Sequence, residues 1–419
     1  MSGNWVMSNE QQALDRLHKS HYGKMVTAML QFSRDIDLEM AEDIVQDAFC
    51  SALSMWKEKG IPENPSGWIY TVCRHTAINI LKRKKKFINP FENNDQTIET
   101  YFYESAFDDE QLRLLFACAN PRLTAQTQVV ITLKYVVNLR VESIARALGL
   151  TVNGIDKLLV RARQKIKMEN IFLKEPSATA LQSRLPVVHK ILYLIFNEGY
   201  KASSGKELIR YELCEESLLM TKTLLDKKIS DADTSALYAL MLFNSARLNT
   251  RFTAGNQLTD LEEQNRSQWN TGLIALGNYN LRQARSEGVS SYHYEAAIAY
   301  LHCRAKSFET TDWQTIVQLY EKLLAIENNL FIQLNYGIAL YYASRKEQAF
   351  STLHSLQKTF LKDHYLFHTA LGKLYLLEGD RVKGKHYLLH AQKLTQFKAE
   401  KNFIENLLKR EQETERSIP

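Results

Sequence analysis

The sequence has few of the residues that organise disulfide-rich or zinc-binding proteins. Its 419 residues include only five cysteines, an odd number, and no two of them form a CxxC pair. Scattered cysteines of this kind exclude a disulfide framework and a structural zinc site. We therefore expect a reduced, cytoplasmic protein that uses no metal and no other cofactor.

Proline, glycine and long apolar runs are also scarce. The chain has 7 prolines and 16 glycines, too few for a β-rich fold with many tight turns. The first residues, MSGNWVMSNEQQ, contain neither a basic nor an apolar segment, so we expect no export signal and no membrane span. The net charge of +6 is small for this length, so global charge alone does not predict nucleic-acid binding.

What the chain does contain is helical periodicity along most of its length. In AEDIVQDAFCSALSMW the apolar residues recur every three to four positions, as in an amphipathic helix. A chain this long exceeds one core, so two to three domains are expected. The sequence predicts an all-α fold with a helical block at 10–86, an acidic linker at 87–107, a second block at 108–172 and a helical region at 180–415.

The polar side of that amphipathic helix is acidic. Asp43, Gln46 and Asp47 share it with Glu39, and no Lys or Arg lies four residues away to pair with them. Such a face is most often simply solvated. The sharper alternative is that it binds a partner protein.

The stretch VESIARALGLTVNGIDKLLVRARQKIK predicts two helices joined by a tight turn. Gly149 permits a left-handed turn, and Thr151 is placed to cap the second helix. In a helix-turn-helix, early residues of the second helix contact base edges and later basic residues contact phosphates. A helical hairpin with a solvated basic face is the alternative. The candidate DNA-binding residues here are Thr151, Asn153, Lys157, Arg161, Arg163 and Lys165.

A second basic stretch, GWIYTVCRHTAINILKRKKK, opens with two aromatic residues and ends in five consecutive basic ones. Trp68 and Tyr70 are suited to stacking on unpaired bases, and the basic run is suited to phosphate contacts. The alternative is a solvated charge run with Trp68 in the core. By itself this stretch favours neither interpretation.

Two further patterns lie in the 180–415 region. The segment FNEGYKASSG is interpreted as a helix end, with Gly199 as terminator and Ser203 or Ser204 as the next cap. The alternative is a regulatory binding site made of Asn197, Glu198, Tyr200, Ser203 and Ser204.

An internal repeat with an offset of 35 residues aligns NYGIALYYASRKEQAFSTLHSL with ALGKLYLLEGDRVKGKHYLLHA. Gly337 falls on Gly372 and Leu353 on Leu388, a period typical of stacked helix pairs of the tetratricopeptide kind. Histidine pairs spaced four residues apart, such as those in HYLLH, are more often incidental than metal-binding, so no metal is expected.

The order of these segments resembles the extracytoplasmic-function sigma factors of bacterial RNA polymerase. AEDIVQDAFCSAL resembles their region 2.2, NPSGWIYTVCRHTAINILKRKKK their regions 2.3 and 2.4, and VESIARALGLTVNGIDKLLVRARQKI their region 4.2. YLIFNEGYKASSG and EEQNRSQW resemble blocks of a helical, tetratricopeptide-like C-terminal extension that a subgroup carries. The implied architecture is two small helical sigma domains, a region 2 bundle and a region 4 helix-turn-helix, followed by an α-solenoid.

The resemblance implies a sigma factor, not an enzyme, that guides core polymerase through its β and β′ subunits to promoter DNA and melts the −10 element. The extension would regulate or support this activity, in the cytoplasm and at the nucleoid, with an unknown protein or ligand as its possible partner. Polymerase contacts are implied for Asp43, Gln46, Asp47 and Phe49. Contacts to the −10 element are implied for Trp68, Tyr70, Arg74, Asn79, Lys82, Arg83, Lys84 and Lys85, and contacts to the −35 element for the candidate residues of the helix-turn-helix.

Some residues depart from the family pattern. Asn79 replaces a frequent acidic residue, and Asp156 and Leu158 replace frequent basic ones, so binding of the −35 element is expected to be unusual. A stand-alone helix-turn-helix regulator with a protein-binding repeat domain is the alternative function.

Overall fold

The computed structural model describes residues 8–33, 35–86, 112–171, 173, 176–202, 208–253 and 257–416. Within these ranges the chain is helical and has no strand beyond an isolated bridge between Phe252 and Leu258, which confirms the predicted all-α class. No helix in the same ranges is both long and apolar enough for a bilayer crossing. The helices form two compact units, the first containing α1 to α9 and the second α10 to α18.

In the part of the chain that the structure describes, the first unit contains nine α-helices. They are α1 (Asn9–Phe32), α2 (Leu38–Lys59), α3 (Pro65–Lys86), α4 (described at 112–118), α5 (Ala125–Tyr135), α6 (Val141–Leu148), α7 (Val152–Met168), α8 (Ala178–Tyr200) and α9 (Tyr211–Asp226).

Helices α1 to α3 pack together as the first predicted block. Asp37 begins α2 by accepting a hydrogen bond from the Met40 backbone N–H at 3.0 Å, and Gly60 ends it at φ 80°. The predicted apolar face of α2 is buried from Ala41 to Trp56. Leu53, which is also apolar, is 40% exposed and therefore does not belong to this buried face.

Helix α5 lies at the centre of the first unit. It packs against α1 on one side, against α6 and α7 within the second predicted block, and against α8. Every residue from Gln128 to Leu133 is therefore buried, as expected for a helix with neighbours all round. Two members of this set are polar, and both donate hydrogen bonds to carbonyls: Gln128 Nε2 to Asn120 and Leu123 at 2.7 and 2.8 Å, and Thr132 Oγ1 to Gln128 at 2.7 Å.

The boundary of the first unit differs from the division between residues 172 and 180 that the sequence suggests. Helix α8 packs against α5 and α6, and Arg184 Nη1 donates to the Phe116 carbonyl at 2.7 Å. The first unit thus extends to residue 229 and includes α8 and α9. Apolar residues of α8 such as Leu185, Val188 and Leu192 are buried, and only tertiary packing decides which unit buries them.

Among its described residues, the second unit contains nine further α-helices. They are α10 (Ala232–Ala246), α11 (Thr271–Gln283), α12 (Ser291–Arg304), α13 (Trp313–Ile326), α14 (Leu330–Tyr342), α15 (Lys346–Ser355), α16 (Tyr365–Leu377), α17 (Arg381–Leu394) and α18 (Lys398–Arg416).

The internal repeat is confirmed by equivalent contacts. Helices α14 and α15 form one pair and α16 and α17 the next. A Cβ atom added at Gly337 would lie 2.7 Å from Leu353 Cδ2, and one added at Gly372 would lie 2.8 Å from Leu388 Cγ. Each pair therefore crosses at a glycine against a leucine, at the same offset of 35 residues.

Candidate nucleic-acid and polymerase interface

The helix-turn-helix forms as the sequence predicts. Helix α6 ends at Gly149, whose φ of 65° is left-handed, a conformation that costs glycine little. Thr151 then begins α7, and its Oγ1 accepts a hydrogen bond from the Gly154 backbone N–H at 3.1 Å. The buried side of α7 consists of Ile155, Leu159, Ala162 and Ile166.

Most predicted −35 residues lie on the exposed side of α7. Thr151, Asn153, Lys157 and Arg161 are exposed, and Lys165 is exposed with its Nζ 3.8 Å from Glu169 Oε1. Val152, the first residue of α7, is also exposed, at 40%.

Arg163 differs from the other −35 candidates. Its side chain is only 31% exposed, and its Nη1 lies 3.9 Å from Glu39 Oε1 of α2. Arg163 also faces Tyr135, whose pKa burial raises to about 12 although the nearby guanidinium lowers it. The structure therefore places Arg163 between the two predicted blocks, away from the exposed stripe of α7.

Helix α3 presents the predicted −10 residues over a buried side made of Ile69, Cys73 and Ala77. Asn64 precedes the helix, and its Oδ1 accepts a hydrogen bond from the Gly67 N–H at 3.0 Å. Trp68 is half-buried, with its ring 5.8 Å from that of Trp56 in an edge-to-face arrangement. Its other surface remains accessible, so both predicted roles of Trp68, packing and base contact, are compatible with its position.

The remaining −10 candidates differ in exposure. Tyr70 and Arg74 are half-buried, and Arg74 Nε is shielded from solvent without a hydrogen-bond acceptor among the described residues. Asn79, Lys82 and Arg83 are exposed. The side chains of Lys84 and Lys85 lie outside the described part of the structure.

The acidic side of α2 is exposed at Asp43, Gln46 and Asp47. Partial desolvation raises the pKa of Asp43, and the carboxylates of Glu39, Glu42 and Asp47 raise it further. Like charges with no basic residue one helical turn away on the same helix repel one another in the free protein and are available to a basic partner.

Phe49 differs from the other three polymerase candidates. It is only 9% exposed, and its ring lies 5.1 Å from that of His18 and 6.2 Å from that of Tyr22. Phe49 therefore packs α2 against α1 and does not lie on the exposed acidic side.

Two acidic residues of α2 are paired with basic residues of the second predicted block. Lys134 Nζ of α5 lies 3.0 Å from Glu42 Oε1, with side-chain exposures of 24% and 12%. Arg163 of α7 approaches Glu39 at 3.9 Å. No local spacing signals these pairs, because each joins residues that are remote in the chain.

The FNEGY segment forms the last turn of helix α8, as the interpretation of a helix end predicts. The helix ends at Tyr200, one residue after Gly199, which was expected to terminate it. A Cβ atom at Gly199 would lie 2.7 Å from the Cys214 backbone nitrogen, so glycine is needed where α8 and α9 cross. Asn197 is exposed and Glu198 is 4% exposed. Ser203 and Ser204 lie outside the described residues.

Parts of the chain match three protein families. Residues 17–87 match the family Sigma-70 region 2, residues 113–166 match Sigma-70, region 4, and residues 184–285 match a family of unknown function, DUF6596. The chain is 28% identical over 162 residues to RNA polymerase sigma factor YlaC of Bacillus subtilis, covering 37% of this chain and 90% of that protein. It is 29% identical over 140 residues to sigma factor SigV of the same organism, covering 33% of this chain and 81% of that protein.

The chain belongs to the extracytoplasmic-function sigma factors of the sigma-70 family. A relative that shares the C-terminal extension is an uncharacterised protein of Rhizobium meliloti, 30% identical over 356 residues, which cover 83% of this chain and 84% of that protein. No solved structure matches the chain. In this sigma factor, region 2 corresponds to α1 to α3 and region 4 to α4 to α7. As a sigma factor it binds core RNA polymerase and promoter DNA.

Proposed function

We propose that this sigma factor docks on core polymerase through the acidic side of α2 and melts the −10 element with α3. The observation that carries the proposal is the exposed cluster of Asp43, Gln46 and Asp47. A helix that concentrates like charge on one exposed side suits a basic partner surface. We assign the α2 contact to the clamp of the β′ subunit and the region 4 contact to the β subunit.

Melting of the −10 element would use an aromatic side chain and basic side chains on α3. Trp68 offers a ring for stacking with an unpaired base, while Lys82 and Arg83 are exposed for phosphate contacts. Unstacking a base step costs on the order of a few kcal/mol, and strand binding of this kind can offset it without ATP.

Recognition of the −35 element would use the exposed side of α7. Asn153 and Lys157 lie in its first turns, where a recognition helix contacts base edges. Arg161 and Lys165 follow one and two turns later and are suited to phosphates. Asp156 is exposed in the same stripe and would repel the DNA backbone.

Promoter-specific transcription with purified core polymerase tests the docking assignment. Asp43→Lys with Asp47→Lys should abolish core binding and transcription, because both charges are reversed on an exposed surface. Glu58→Lys, also exposed on α2, is the matched control and should leave both unchanged. If the double variant transcribes normally, the docking assignment is wrong, and a protein that binds promoter DNA without polymerase would be the alternative regulator.

The C-terminal extension is proposed to support or regulate the sigma regions. The supporting observation is that α8, the first helix of the extension, packs on α5 of region 4. A comparison of the full chain with residues 1–229 tests this, because the first compact unit ends there. Higher activity of 1–229 would make the second unit an inhibitor, and loss of activity would make it a required part. Equal activity would exclude both roles.

A further inference from the structure

Three histidines form a cluster where α16 packs against α17, in the second helix pair of the repeat. His386 and His390 lie one helical turn apart on α17, and both are exposed. His368 lies on α16, and its ring centroid is 4.3 Å from that of His390. A histidine pair on one helix is more often incidental than functional, so the position of the third ring decides what this cluster can do.

The ring of His368 has one nitrogen that is hydrogen-bonded and one that is not. Its Nε2 lies 2.6 Å from the carbonyl oxygen of Lys362. A carbonyl oxygen only accepts hydrogen bonds, so Nε2 carries the proton of the neutral ring and Nδ1 carries a lone pair. Nδ1 is shielded from solvent and has no hydrogen-bond partner among the described residues. The lone pair of His368 is therefore available to a ligand.

A lone pair of this kind is unfavourable to leave unpaired. His368 is only 8% exposed, and a buried acceptor without a partner loses the hydration that it had in the unfolded chain. Histidines that bind metal ions commonly donate their second ring nitrogen to a carbonyl, which fixes the tautomer and the orientation of the ring. The hydrogen bond from His368 to Lys362 has this form.

Electrostatics at His368 favour the neutral ring that a metal ion requires. Burial has the largest effect and lowers the pKa of His368, and His390 and His386 lower it further, against the opposite effects of the Lys362 carbonyl and Asp363. A metal ion binds the unprotonated nitrogen of a neutral imidazole. The same effects mean that both histidines of α17 lie within electrostatic range of His368.

The surroundings of His368 hold its ring in place. The ring of Tyr387 stacks on that of His368 at a centroid distance of 5.8 Å. The hydroxyl of Tyr387 in turn accepts a hydrogen bond from Gln357 Nε2 at 2.8 Å. His386 and His390 are exposed, so their rings can turn about their side-chain bonds. The cluster thus combines one fixed ring nitrogen with two that can adjust to a bound ion.

We propose that His368, His386 and His390 bind one zinc ion, with Nδ1 of His368 as the buried ligand. Imidazole nitrogen is a preferred ligand of zinc, and two histidines four residues apart on a helix can bind the same ion. With three protein ligands, a water molecule completes the tetrahedral coordination. The ion links α16 to α17 and therefore stabilises this helix pair. The site does not depend on how the sigma regions bind polymerase and DNA.

Zinc titration of the full chain, prepared without a polyhistidine tag and stripped of metal, tests the site. Competition with a chromophoric zinc indicator measures the affinity, and we expect one ion bound per chain. His386→Ala and His390→Ala change exposed residues and should each weaken binding at least about tenfold, since loss of an outer-shell partner alone costs about 10- to 100-fold. His75→Ala, at an exposed position of α3, is the control and should leave the affinity unchanged.

His368→Phe separates a three-histidine site from a surface pair. Phenylalanine keeps an aromatic ring in the packing and removes both nitrogens, so zinc binding should weaken at least about tenfold. Unchanged affinity would mean that the pair on α17 binds zinc by itself, and it would overturn the inference. Absence of stoichiometric zinc binding by the wild-type chain would overturn it too.

Two measurements on the wild-type chain do not depend on how His368→Phe folds. In nitrogen NMR spectra of the histidine rings, zinc should shift the Nδ1 resonance of His368 while Nε2 stays protonated, and an unchanged resonance contradicts the proposal. Zinc should also raise the melting temperature, because a ligand of the folded state stabilises it. Mg²⁺, which prefers oxygen ligands, should not, and an equal effect of both ions would contradict a histidine site. None of these outcomes alters the sigma assignment.

Discussion

The Nζ atom of Lys134, in region 4, lies 3.0 Å from the Oε1 atom of Glu42, in region 2. Both side chains are largely shielded from water, with exposures of 24% and 12%, so this pair is more than a surface ion pair. It joins the helix assigned to polymerase docking to the central helix of the first unit.

A double-mutant cycle should show that this pair is coupled. With Lys134→Met and Glu42→Gln, we expect a coupling energy of about 1 kcal/mol in the free energy of unfolding, between the small values of exposed pairs and the large values of buried ones. Urea denaturation of the four proteins measures it. Additive effects of the two single changes would mean that the two groups do not interact in solution.

The left-handed turn of the helix-turn-helix should make Gly149→Ala destabilising. No atom lies within 4 Å of a Cβ atom at Gly149, so the expected loss of about 1 kcal/mol comes from backbone strain at φ 65° alone. Gly288→Ala is the control, because its Cβ position is equally open and carries no positive φ. Equal melting temperatures for both variants would contradict the strain argument.

Substitutions on α7 should separate affinity from sequence preference. Arg161→Ala should lower the slope of log binding constant against log salt concentration by about 0.9, because it removes one phosphate contact. Asn153→Ala should instead relax the preference for the native −35 sequence. Both are measured as binding of the polymerase holoenzyme to promoter DNA over a range of salt concentrations.

Asp156 is exposed on the same side of α7, and its substitution tests whether its negative charge weakens DNA binding. Asp156→Asn should increase holoenzyme affinity for the promoter severalfold, because it removes a repulsion of phosphate without changing side-chain size. Weaker binding would mean that Asp156 accepts a hydrogen bond from a base, in which case its effect should be confined to one promoter position.

The glycine contacts of the repeat should tolerate no methyl group. Gly337→Ala and Gly372→Ala should each cost about 1–3 kcal/mol in the free energy of unfolding, as expected for overpacking. Leu353, which faces Gly337, allows a test of whether overpacking causes this loss. In a Leu353→Ala background, Gly337→Ala should cost much less, and an undiminished cost would place the strain elsewhere.

A partly buried histidine should make the second unit sensitive to acid. Burial, together with the smaller effects of Arg247 and Arg266, lowers the pKa of His302 from an ordinary value of 6.5 to about 3. Because its pKa in the folded protein is below that in the unfolded chain, the neutral ring contributes stability above pH 6.5. That contribution is lost as the pH falls from 6.5 towards 3. His302→Phe should reduce the loss of stability between about pH 7.5 and about pH 5, as measured by urea denaturation. An unchanged loss of stability would show that other titrating groups cause the sensitivity to acid.

Much of the local structure could be predicted from periodicity. The buried face of α2, the turn at Gly149 and the cap at Thr151 depend on residues within one or two helical turns. The sequence therefore specifies them directly, and the structure confirms them. The repeat was predictable for a related reason, since its close crossings require glycine and leucine at fixed spacing.

Contacts between remote segments could not be predicted in this way. The pairing of Arg163 with Glu39 and the burial of Gly199 against Cys214 depend on which helices pack together. An apolar face on α8 predicts that the helix is buried but does not identify the surface that buries it. The boundary expected between residues 172 and 180 therefore lies before two helices that belong to the first unit.

The all-round burial of α5 also bears on the order in which the protein is made. Region 2 precedes α5 in the chain, so its α1 is available when α5 leaves the ribosome. The helix that covers another side, α8, is translated only after α6 and α7. Domains generally fold during synthesis as their segments emerge, but region 4 is completed by a segment that follows it. A nascent chain halted at residue 172 would leave the α8-facing residues of α5 open to other nascent chains and to chaperones.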